Sequence, residues 1–217
     1  MGAKQLNTAL IAGASGLIGN QLLTVLLSSK YFTNVVSIGR RKVPIEHPKL
    51  KQYIVDFDKL EELKIKVDFV FCCLGTTIKK AGSKEVFKKV DYQFPLVLIK
   101  YAFEMGAKSF HLVTAMGANA QSAIFYNKIK GLVEDEISKV PIKQIHIYRP
   151  SLLLGKREEK RFMEGLSQVV MSALGFLFIG SLKNYRAIKA ERVAAFMSQS
   201  ATSDEEGRFV HLSGEMQ

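Results

Sequence analysis

A chain of 217 residues with 47% hydrophobic side chains is long enough for one α/β domain with a full core. Its formal charge of +11 suits an anionic ligand, yet the lysines are scattered among acids, as in Lys79 with Lys80 or Lys88 with Lys89, which argues against a nucleic-acid interface. The only cysteines, Cys72 and Cys73, are neighbours in an apolar run, which excludes a disulfide framework and reads as buried thiols in a reducing, cytoplasmic setting.

The apolar run Ala9 to Ala12 reads as a buried strand and is followed by Gly13, Ala14, Ser15, Gly16, Leu17, Ile18 and Gly19. Leu17, Ile18, Leu22, Val25 and Leu26 then recur at helical spacing. Strand, glycine loop and helix make a dinucleotide site: Gly13 permits a sharp exit from the strand, Gly16 lets backbone approach a pyrophosphate, and Gly19 lets the helix pack close to the sheet. Helix-start amides and the helix dipole both favour the phosphates.

A second strand, Asn34 to Ile38, leads into Gly39, Arg40 and Arg41. An acid about twenty residues past the loop would serve the ribose 2′-hydroxyl of NAD. Two arginines stand there instead, and guanidinium groups grip a 2′-phosphate, so NADP(H) is the expected cofactor. A third strand, Gln52 to Val55, ends at Asp56 and Phe57, in position for the adenine edge.

Val67 to Leu74 is nearly all apolar, as in a central parallel strand covered on both faces. Leu74 and Gly75, at its carboxyl end, are expected to line the cofactor. The stripe Phe94, Val97, Leu98, Tyr101, Ala102, Met105 marks a helix, and Phe110 to Val113 a fifth strand ending at Thr114 and Ala115. Tyr126, Ile129, Lys130, Val133 and Ile137 mark the next helix, and Ile142 to Tyr148 a sixth strand. The predicted fold is a doubly wound parallel sheet, with residues 1–150 as the nucleotide-binding core and 151–217 completing the sheet and covering the substrate cleft.

Past Pro150 the alternation loosens. The apolar segment 166–182 carries Gly175, Gly180 and several polar residues, and is expected to pack over the cleft rather than span a membrane. A helix over 190–200 and a strand over 208–212 follow. The four histidines, His47, His111, His146 and His211, lack ligand spacing and are expected in packing roles, with no metal site.

Tyr126 and Lys130 are four apart, so their side chains rise from one helix face. An ammonium beside a phenol lowers a pKa of about 10, which equips Tyr126 to pass a proton to a carbonyl oxygen. Tyr185 and Lys189 repeat the spacing, but no predicted strand end presents them to the cofactor.

The chain resembles the short-chain dehydrogenase/reductase superfamily in its extended or atypical branch, and within it the HIV Tat-interacting oxidoreductase group and its microbial relatives. GASGLIG at Gly13 to Gly19, IGRRK at Ile38 to Lys42, FCCLGTT at Phe71 to Thr77, VD at Val90 and Asp91, YNKIKG at Tyr126 to Gly131 and YRPSLLLG at Tyr148 to Gly155 carry the resemblance. It implies that Ser15, Gly16, Leu17 and Ile18 meet the pyrophosphate, Arg40 and Arg41 the 2′-phosphate, and Leu74 and Gly75 the adenosine side. It implies Tyr126 as proton donor with Lys130 as partner, and Leu153 and Arg161 reaching the cofactor from the C-terminal side. One departure stands out. The superfamily places two hydroxyl residues at the end of strand five, and here the pair is Thr114 and Ala115, leaving Thr114, or Ser122 from the loop, to bind the substrate carbonyl.

The expected function is hydride transfer between NADP(H) and a small carbonyl or alcohol. The alternatives are an NADPH-binding regulatory module with a protein partner and a sugar-nucleotide epimerase. The apolar faces of helices 92–105 and 122–137 offer a surface for a homodimer.

Overall fold

The computed structural model describes residues 7–154 and 184–217. The segment expected to cover the cleft, 166–182, and Arg161 lie outside the described residues.

In chain order the elements are β1 (Thr8–Ala12), α1 (Leu17–Ser28), β2 (Asn34–Gly39), β3 (Leu50–Ile54), β4 (Phe69–Cys72), α2 (Ile78–Ala81), α3 (Lys84–Lys88) and α4 (Phe94–Glu104). There follow β5 (Ser109–Val113), α5 (Phe125–Ser138), β6 (Gln144–Arg149), β7 (Leu153–Leu154), β8 (Ile188–Lys189), α6 (Ala190–Ser200) and β9 (Gly207–Leu212). Seven strands form one parallel sheet in the order β3-β2-β1-β4-β5-β6-β9, the doubly wound arrangement the sequence predicts. A separate parallel pair joins β7 to β8.

The burial of each strand follows its place. Every residue of β4, in the middle, is buried, whereas the edge strand β3 leaves Lys51, Tyr53 and Ile54 exposed. On one face α1 and α6 pack together through Leu22, Leu23, Leu26, Val193, Ala194 and Met197. On the other, α4 and α5 cover the sheet through Leu98, Ala102, Val133 and Ile137. Each fully buried leucine contributes roughly 1.5–3 kcal/mol.

One feature departs from the expected pattern and a second gives an expected one its form. The helix expected from Tyr92 begins at Phe94, because Lys89–Gln93 forms a π-helical turn that joins α3 to α4. The other is a row of rings: His111, His146 and His211, on neighbouring strands, stack at centroid separations of 4.8 and 5.3 Å under α6. His111 Nδ1 lies 2.9 Å from the Tyr148 hydroxyl, and His146 Nδ1 lies 3.0 Å from His211 Nε2. Packing is thus the observed role of these three, and among the described residues no cluster of His, Cys, Asp and Glu could hold a metal.

Candidate functional site

A cavity of about 390 Å³ opens at the carboxyl ends of β1, β2 and β4. Its floor is Gly13, Ala14, Ser15 and Gly16, one wall is Ser37 to Arg41 with Val43, and the other is Cys73, Leu74 and Gly75, with Phe57, Val90 and Phe94 closing it. This is where an open parallel sheet binds ligands, at the point where strand order reverses.

The glycine loop is held by sterics. Gly13 has φ +91°, and a Cβ there would lie 2.5 Å from the Cys73 carbonyl oxygen on β4's exit. A Cβ on Gly19 would lie 2.1 Å from the Gly13 carbonyl oxygen, so this glycine packs the helix against its own loop rather than against the sheet. No side chain caps α1 at Gly16 and no acid occupies its first turn. Its leading N–H groups therefore remain for an anion at the cavity floor.

Arg40 and Arg41 are exposed at the rim beside that floor. Phe57, stacked on Phe94 at 4.8 Å, lines the cavity, whereas Asp56 does not: its carboxylate accepts from the Asp58 amide and caps a short 3-10 turn. Leu153 pairs with Ile188 in the small second sheet, packs against the α1 face and is absent from the cavity lining.

Gly75 connects the cavity to the catalytic candidates. A Cβ at Gly75 would lie 3.8 Å from Lys130 Nζ and 3.5 Å from Asp91 Oδ1. Lys130 and Asp91 form an ion pair of 2.7 Å, with their side chains 6% and 0% exposed. The Thr76 amide donates to the other oxygen of Asp91. Burial pushes the Lys130 ammonium down, and the Asp91 carboxylate overcomes this and holds it above the ordinary lysine value. Lys130 Nζ also lies 6.0 Å from the Tyr126 ring centroid, and that half-buried ring rests on Phe87 at 5.4 Å. Tyr126 and Lys130 thus share a face of α5, but the ammonium's close partner is a carboxylate.

Asp91 has no assigned role in the sequence reading. Its signal is Lys130 itself, which falls on the apolar stripe of its helix: a buried ammonium needs a counter-charge, and Asp91 sits in the π-helical turn that aims it inward.

Thr114 is buried, and its hydroxyl donates to Glu134 Oε1 of α5 at 2.5 Å. Glu134 also accepts from Arg149 Nε and Nη2, so the ends of β5 and β6 are tied to α5 through one carboxylate. The hydroxyl proposed for the substrate carbonyl is therefore engaged within the protein. Ser122 accepts from the Ile124 amide in the loop before α5. Tyr185 lies in a short turn and Lys189 in β8, so this second pair shares no helix face. Burial pushes the Cys72 thiol up to about 12 and raises Cys73 as well, which favours the neutral thiol at both positions.

Fold and cavity define a doubly wound α/β protein with a cleft at the carboxyl ends of its central strands. The HIM1 family model matches residues 24–177, and the chain belongs to that family. It is 36% identical over 176 residues to Protein HTATIP2 of Rattus norvegicus, covering 78% of this chain and 72% of that one. It is 34% identical over 195 residues to the mitochondrial Protein FMP52 of Debaryomyces hansenii, covering 86% and 84%. Among solved structures, a short-chain dehydrogenase family protein from Francisella tularensis matches with a TM-score of 0.71 at 14% identity, covering 97% of this chain and 99% of that one. A UDP-glucose 4-epimerase from Thermotoga maritima matches with a TM-score of 0.69 at 15% identity, covering 95% and 77%. These two likenesses establish the fold.

The relatives correct one expectation. FMP52 proteins of Debaryomyces hansenii, Candida albicans and Coccidioides immitis are named mitochondrial, so the cytoplasmic location inferred from two buried thiols does not stand. Buried thiols survive in any reducing compartment and do not distinguish one from another. Among the described residues no helix is long and apolar enough to cross a membrane.

Proposed function

We propose that this chain is an NADP(H)-dependent oxidoreductase acting on a small carbonyl or alcohol. The observation that carries this is one continuous path: an uncapped helix start at Gly16, an arginine pair at the rim of the same cavity, and Gly75 leading to Lys130 and Tyr126. The amides of Ser15, Leu17 and Ile18 would hold the pyrophosphate, with Gly16, whose amide donates to the Gly13 carbonyl, letting the backbone come close; Arg40 and Arg41 would hold the 2′-phosphate, and Leu74, Gly75 and Phe57 the adenosine. NADP(H) bound there supplies or accepts a hydride. Tyr126 donates the proton to the carbonyl oxygen, or takes it in the reverse direction. Lys130, paired with Asp91, lies 6.0 Å from the Tyr126 ring centroid and 3.8 Å from where a Cβ on Gly75 would stand, within reach of a role in orienting the phenol and meeting the ribose. Thr114 sets the pose of α5 through Glu134.

Tyr126→Phe is expected to lower turnover by about 10²–10⁴-fold, the worth of a positioned general acid, with NADPH affinity within twofold of the parent. Unchanged turnover in that variant removes Tyr126 from the chemistry.

A second reading, an NADPH-binding regulatory module with a protein partner, is favoured by one observation: the strand-five hydroxyl is bonded to Glu134 and its neighbour is Ala115. Carbonyl-dependent NADPH oxidation above background excludes a purely regulatory role.

A further inference from the structure

The segment 40–49, which carries Arg40 and Arg41, is an unusual crossover. It joins the parallel neighbours β2 and β3 in ten residues, and it contains no helix. Parallel strands are ordinarily joined by a dozen or more residues, commonly through a helix that satisfies its own backbone. Here the chain must return the length of the sheet in extended form, and its peptide groups need partners from elsewhere.

Backbone bonds serve part of it, with the Ile45 amide donating to the Val43 carbonyl and the Lys49 carbonyl accepting from the Val35 amide, and one side chain of the next strand supplies three more. Gln52 on β3 accepts from the Val43 amide at 2.9 Å with Oε1, and its Nε2 donates to the carbonyls of Val43 and Ile45, each at 3.1 Å. A single carboxamide thus reproduces a short piece of sheet ladder against the returning chain. Val43, so fixed, is buried, packs on the α1 face and lines the nucleotide cavity beside Arg40 and Arg41. Two residues separate it from Arg40, so the position of Val43 sets where both guanidinium groups can reach.

We infer that Gln52 is a positioning residue for cofactor choice: it holds the 40–47 segment in the shape that presents Arg40 and Arg41 to the 2′-phosphate of NADP(H). This rests on the nucleotide-site reading above. Only a dinucleotide carrying that phosphate depends on the two arginines, so loosening the segment weakens NADPH and spares NADH.

The experiment is calorimetric titration with NADPH and with NADH of the full chain, of Arg40→Ala/Arg41→Ala, and of Gln52→Met, which keeps the side-chain length and removes all three hydrogen bonds. Expected for Gln52→Met is a fall of about tenfold or more in the NADPH-to-NADH affinity ratio, with NADH affinity within about twofold of the parent, since preorganisation of the arginines is lost while the glycine-loop floor and the Leu74–Gly75 wall keep their own contacts. An unchanged ratio, or equal weakening of both nucleotides, overturns the inference and leaves the nucleotide site standing. A parent chain that does not prefer NADPH overturns the site reading, and the inference with it. Should Gln52→Met not fold, amide exchange on the parent decides the matter: the Val43 amide is expected to be as protected as those of β2, and exchange at the rate of an open loop overturns the clamp.

Discussion

A buried lysine and the histidine row show how single residues record their surroundings. Lys130 lies in the interior with the Asp91 carboxylate 2.7 Å away, its foremost counter-charge against the cost of burial. Replacing Asp91 by Ala leaves an unpaired buried ammonium and is expected to destabilise the fold by about 3–5 kcal/mol, measured by urea unfolding at pH 7. An equally stable variant would show that Lys130 finds water or another acid. The histidines act in the opposite sense. His146 is pushed down to about 4 by burial and by His211, while burial, followed by the His146 charge, lowers His111; burial also lowers His211 against the pull of Glu215. Unfolded histidines titrate near 6.5, so the unfolded chain binds more protons between the two values. Stability is therefore full above about pH 6.5 and falls as pH drops towards 4, with His146 alone accounting for up to about 3 kcal/mol. A urea midpoint independent of pH over that window would show that the stacked rings accept protons freely. Lys130 was legible in the sequence as a helix-face residue near a strand end. Asp91 was not, because its pairing depends on a π-helical turn that no local signal marks.

At the scale of elements, the central strands were legible as short unbroken apolar runs, and α1, α4 and α5 because each buries a face of fixed period. The helix-free crossover at 40–49 was not, since it is held by Gln52 from the following strand and the bond partners are non-local. The glycine loop belongs to both groups. Its spacing points to a turn between strand and helix of the kind that takes a dinucleotide, yet the reason for Gly19 is contact with Gly13's own carbonyl oxygen, a detail of three dimensions. Gly19→Ala therefore forces the loop and the first turn of α1 apart. The expected outcome is a loss of about 1–3 kcal/mol by overpacking, together with loss of nucleotide binding. A variant that binds NADPH normally would mean that the floor of the cavity can shift without consequence.

Over the whole molecule, a single doubly wound sheet brings the ends of β1, β2 and β4 to one cavity, and α5 carries Lys130, with Tyr126 on the same face, to Gly75 at the exit of β4. The basic surface and scattered lysines conveyed little; the arginine pair carries more, because it lines the same cavity as the glycine loop. Substrate choice was not legible, because a shared fold hosts many chemistries. The most direct measurement is calorimetric titration of the purified chain with NADPH and, separately, NADH. Binding of NADPH at least about tenfold tighter than NADH, with the difference abolished in Arg40→Ala/Arg41→Ala, is the expected result for paired guanidinium groups on a 2′-phosphate. Equal affinity for the two nucleotides, or binding of neither, would contradict it.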